Sequence, residues 1–66
     1  MRLEQSNLTG REKEILQLLI KGNSYKEIAG MTFISVETLN SHIKNIYRKL
    51  NVHSRSELAA KFGNSL

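Results

Sequence analysis

Sixty-six residues make a single domain, and a chain this short buries only about 60% of its unfolded surface, so its core is thin. Ten Lys and Arg against six acidic residues leave a net charge of +4, which favours a polyanionic partner. With no Cys and no Asp, the chain cannot itself form disulfides, thiolate metal sites, a phosphoacceptor aspartate or an Asp-rich calcium loop.

Residues 1–7 read as a polar arm or linker remnant ahead of one domain over 8–66. The opening residues lack the apolar core of a signal peptide. The first helix is predicted over 10–21, with Ile15, Leu18 and Leu19 on one face and Leu16 and Ile20 widening it. Its longest apolar run, 18–20, is far too short to span a bilayer. Gly22 is placed to stop it in the left-handed conformation. A second helix over 25–31 turns Ile28 and Ala29 inward, and 30–34 forms a turn region. The third helix, over 36–50, carries Leu39, Ile43, Ile46 and Leu50 as a single stripe, with Asn51 as its left-handed exit. A fourth helix over 55–62 presents Leu58, Ala59 and Phe62 and ends at Gly63.

Helix starts are marked as clearly as the faces. Thr9 with Glu12, Ser24 with Glu27 and Ser54 with Glu57 each fit a capping box, in which hydroxyl and carboxylate satisfy each other's backbone N–H. Ser35 opens the third helix. Ile34 and Leu39 are spaced as a hydrophobic staple around it, and Glu37 is an anion in the first turn. The expected class is therefore all-α, a four-helix bundle containing a helix-turn-helix.

With the apolar stripe turned inward, Glu37, Ser41, Lys44 and Arg48 point away from the core, flanked by Asn40 and Asn45. Lys can reach guanine N7 and O6, and Asn can pair with adenine. Residues near the N-terminus of a docked helix go deepest, so Asn40, Ser41 and Lys44 are the base-reading candidates. Asn45, Arg48 and Lys49, further along, are candidates for phosphates, as are Thr38 and, at the start of the second helix, Tyr25 and Lys26. Taken singly, each of these residues is also what a solvated helix face presents. The joint pattern of short helix, tight turn, basic helix and net charge favours double-stranded DNA.

The stretches LTGREKEIL (8–16), GNSYKEIA (22–29), FIS (33–35), TLNSHIKNIYRKLNV (38–52) and SR (54–55) resemble the LuxR-type DNA-binding domain. That domain is the C-terminal module of many bacterial transcription regulators. The resemblance implies four helices, a recognition helix over 36–50, and a homodimer through the last helix on two half-sites. Leu58, Ala59 and Phe62 are then the favoured dimer-contact candidates, with packing on the first helix alone as the alternative. Two departures stand out. The family often has Lys or Arg at Asn40, which leaves Lys44 the better matched base reader, and often Leu at Thr32, so that turn is either less well packed or has its hydroxyl in solvent.

His42 and His53 are too few and too far apart for a metal site. Arg55 can pair with Glu12 or Glu57, or touch a phosphate. No nucleophile–base–orienter set and no phosphate-binding glycine loop is present, so no enzyme and no cofactor is expected. The rival reading is a small helical module whose basic face meets an acidic protein or anionic membrane. The membrane form lacks a wide exposed apolar stripe. The leading reading is a cytoplasmic transcription regulator with duplex DNA, a second copy and RNA polymerase as candidate partners.

Overall fold

The computed structural model describes residues 7–63. It holds four helices, α1 (Gly10–Lys21), α2 (Tyr25–Thr32), α3 (Val36–Leu50) and α4 (Arg55–Phe62), and no strand among the described residues. Side-chain caps set each start. The Thr9 hydroxyl accepts from the Glu12 N–H at 3.1 Å while the Glu12 carboxylate accepts from the Thr9 N–H at 2.9 Å. Ser24 and Glu27 repeat the exchange at 3.1 and 2.8 Å. Ser35 accepts from the Thr38 N–H at 3.1 Å.

The third expected capping box is only half formed. Ser54 accepts from the Glu57 N–H at 3.0 Å, but the Glu57 carboxylate takes the His53 N–H, at 2.8 Å. Ser54 has φ of −153°, against −72° at Thr9 and Ser24, so this cap has a different backbone from the two complete boxes.

Helix ends follow the sequence at Gly22 (φ 97°) and Asn51 (φ 58°), both left-handed. The turn differs. α2 continues through Gly30 to Thr32, and Phe33 becomes the left-handed exit residue at φ 60°. Thr32 is buried, with its hydroxyl donating to the Ile28 carbonyl at 2.7 Å, so the expectation of a solvent-facing hydroxyl is overturned. That back-bond satisfies the oxygen inside the helix and leaves the methyl to the core.

The core is the expected stripes brought together. Ile15, Leu16 and Leu19 of α1, Ile28 and Ala29 of α2, Leu39, Ile43, Ile46 and Leu50 of α3, and Leu58 and Phe62 of α4 are all buried, joined by Leu8 and Val52. α1 packs against each of the other three helices, and α2 against α3. Leu18 and Ile20 are only partly covered at the edge of this cluster.

Two polar ties lock the helices. Glu12 is 4% exposed, and its carboxylate receives the Lys49 ammonium from α3 at 2.8 Å. Lys49 also donates to the Asn7 carbonyl at 3.2 Å. Arg55, instead of meeting Glu12 or Glu57, donates to the carbonyls of Leu19, at 2.9 Å, and Asn23, closing the C-terminal end of α1. Its guanidinium also lies 5.7 Å from the centre of the Tyr25 ring, a cation–π distance. The Tyr47 hydroxyl is buried with no hydrogen-bond partner among the described residues. Burial pushes it up to about 12, with Tyr25 adding to the rise and the Arg55 charge opposing it.

Burial alone would raise the Glu12 carboxyl, but the Lys49 and Thr9 hydrogen bonds and the Lys49 charge outweigh it and hold the group below its ordinary value of 4.5. Stability from a depressed carboxyl is complete above the unfolded value and is lost as pH falls through the folded one. Glu12→Gln keeps an acceptor for Thr9 but loses the charge, so it is expected to destabilise the fold at neutral pH by about 1.5–3 kcal/mol. The gap from the wild type should narrow in strong acid, which denaturant unfolding at the two pH values measures. Tyr47→Phe removes an unpaired buried hydroxyl and keeps the ring, so its unfolding free energy should equal or exceed the wild type's by up to about 1 kcal/mol. A thermal midpoint below the wild type's would show that the hydroxyl has a partner.

Candidate nucleic-acid interface

The two faces of α3 divide by residue type. Leu39, Ile43, Ile46 and Leu50 are 7% exposed or less, whereas Glu37, Thr38, Asn40, Ser41, Lys44 and Arg48 are exposed. The apolar stripe therefore fixes the rotation of the helix and leaves the polar stripe in solvent. All three expected base-reading residues, Asn40, Ser41 and Lys44, are on the outer side, within five consecutive positions.

Local hydrogen bonds pre-order part of this face. Arg48 donates to the Asn45 side-chain carbonyl at 3.0 Å, so two of the expected phosphate residues act as one unit. Ser41 donates weakly to the Glu37 carbonyl at 3.4 Å. The Thr38 hydroxyl accepts from Ser35 at 3.0 Å, and both side chains are at the open N-terminal end of α3. There the helix dipole and unpaired N–H groups favour an anion. The carboxylate of Glu37 is the one acidic group among the exposed residues named on this face, and it can accept from a cytosine N4 amine.

The other expected residues divide. Lys26 is exposed at the start of α2 and Tyr25 beside it is half-buried under Arg55. Lys49 is held away from the outer face by its pairing with Glu12, and its side chain is only 28% exposed. His42 is half-buried at the edge of the core. Of the three dimer-contact candidates, Leu58 and Phe62 are at 0% and 2% exposure, filled by their own protomer, so they cannot form an external surface without opening the core. Only Ala59 is exposed, beside Ala60.

Sequence reasoning passed over Arg55 as a clasp and the apolar rim of the turn. Met31, Phe33 and Val36 are 52%, 92% and 41% exposed. Among the described residues no three His, Cys, Asp or Glu side chains gather to hold a metal ion, and no helix is long and apolar enough to cross a membrane.

No solved structure gives a significant match. A nitrate/nitrite response regulator protein homolog from Haemophilus influenzae is 53% identical over 49 residues, covering 74% of this chain and 24% of the relative. The spore germination protein GerE of Bacillus subtilis is 46% identical over 50 residues, 76% of this chain and 68% of GerE. The transcriptional regulatory protein LiaR of the same organism is 44% identical over 57 residues, 86% of this chain and 27% of LiaR. The chain thus spans about a quarter of the length of the first and last of these. The family model described as bacterial regulatory proteins, luxR family, matches residues 6–62, from before α1 to the end of α4, and the chain belongs to that family as a helix-turn-helix domain.

Proposed function

We propose that this domain binds double-stranded DNA sequence-specifically to regulate transcription, with α3 in the major groove. The observation that carries the proposal is the division of α3 into a fully buried apolar face and an exposed face bearing Asn40, Ser41, Lys44 and Arg48. A polar helix set on a tight turn can enter the groove as a rigid body. Asn40, Ser41 and Lys44 read base edges, and Lys44 has the reach for guanine N7 and O6. Arg48 with Asn45, Thr38 at the start of α3, and Lys26 with Tyr25 at the start of α2 meet phosphates. Lys49 serves the fold through Glu12 and contributes to the interface only indirectly.

The domain acts as a pair on two half-sites about one helical turn apart, because two copies of α3 then enter successive major grooves on one side of the duplex. The paired surface is the outer side of α4, at Ala59 and Ala60, whose small side chains permit close helix approach. Bound at a promoter, the domain stands where RNA polymerase is the next partner it meets.

Affinity for a selected duplex and for random duplex, measured across a salt series, tests the proposal. A DNA reader loses affinity steeply with salt and keeps a sequence-dependent component. Binding that is salt-dependent but equal on all duplexes would return the domain to a general polyanion binder. Lys44→Ala should weaken specific binding by about 1–3 kcal/mol and relax base preference at one or two positions. Its thermal midpoint should stay at the wild-type value, since the side chain is exposed. Ala59→Glu should reduce cooperative occupancy of a two-half-site duplex while single half-site affinity is unchanged. Equal losses on both duplexes would argue for a monomeric reader.

A further inference from the structure

Phe33 carries two costs in the free protein. It ends α2 at φ 60° and ψ 40°, a conformation that a bulky side chain rarely adopts. α1 and α3 make the same exit with Gly22 and Asn51, residue types suited to it. The Phe33 ring is also 92% exposed, so it gains nothing from the core. Asn or Gly at this position would relieve both costs. A residue that strains the backbone and exposes an aromatic ring is typical of sites where stability is given up for binding.

The surroundings say what is bound. Ile34 turns into the core, and Ser35 caps α3. Val36 then opens α3, 41% exposed, one helical turn before Asn40 and two before Lys44. The apolar rim is thus continuous with the base-reading face and lies at the end of α3 that goes deepest into a groove. Within the major groove the C5-methyl of thymine is the apolar group a protein can recognise, and Phe is among the side chains that contact it.

We propose that Phe33 and Val36 form an apolar lip that recognises thymine methyl groups at one edge of each half-site. This specificity rests on the DNA-reading function above and adds to the polar contacts of Asn40, Ser41 and Lys44.

Replacing thymine by uracil removes the methyl and leaves every Watson–Crick group in place. The 66-residue protein is first used to select a preferred duplex from a random pool. Affinities are then measured on that duplex and on versions with single thymines replaced by uracil, for the wild type, Phe33→Asn and Val36→Ala. The wild type should lose about fourfold per contacted methyl, at one or two thymines per half-site. Each variant should show a comparable loss on the thymine duplex and no further loss at its own uracil position. Phe33→Asn should at the same time raise the thermal midpoint, the opposite of what a core or turn-forming role predicts. A wild type indifferent to uracil overturns the proposal. So does a Phe33→Asn protein that binds both duplexes like the wild type, a result that would assign the lip to an apolar protein partner. A pool that yields no preferred duplex removes the DNA-reading function itself, and with it this inference.

Discussion

Leu39, Ile43, Ile46 and Leu50 seat α3 against α1 and α2, and every other property of the domain depends on that seating. A helix of 15 residues has few ways to expose a base-reading face while also supplying four buried positions to a thin core. Its apolar stripe is narrow and regular, so rotation about the helix axis is fixed and the polar residues opposite inherit a defined direction. Placing a polar residue in the stripe would therefore damage stability and recognition together. A change on the outer face touches recognition alone.

Helix limits and faces were legible because their causes are local. A hydroxyl three residues before the N–H it accepts from, or a Gly or Asn just past the end of a helix, acts within one turn of chain, and Thr9, Ser24, Ser35, Gly22 and Asn51 all behave that way. The unread features depend on distant partners or on competition between neighbours. Glu12 reads as a cap residue and is one, yet it also receives Lys49 from 37 positions away. Arg55 satisfies the carbonyls of Leu19 and Asn23, 36 and 32 positions back, a role no periodicity encodes. Leu58 and Phe62 have apolar spacing that suits a core and an interface equally, and the short α4 gives both to the core. Phe33 became the exit residue because Thr32 can hydrogen-bond back into α2 and Ile34 is drawn inward.

The basic character of the chain is also more structured than its net charge implies. Arg11 reaches the Thr32 carbonyl and Glu14, Lys61 is near Glu57, and Lys49 and Arg55 are committed inside the fold. Cations at the α2 start and along outer α3, Lys26, Lys44 and Arg48, remain exposed. These exposed cations favour diffusional encounter with a polyanion.

The Glu12–Lys49 pair has a kinetic consequence. Each helix carries its own start signal, so helical segments can form before the chain has closed any large loop. A contact between positions 37 apart needs α1 and α3 already docked. Its formation is expected late, on the native side of the folding barrier. In a chevron analysis, weakening the pair is expected to steepen escape from the native state and leave the refolding limb nearly unmoved. Residence time in the folded form, rather than the speed of reaching it, is what this charge pair is expected to set.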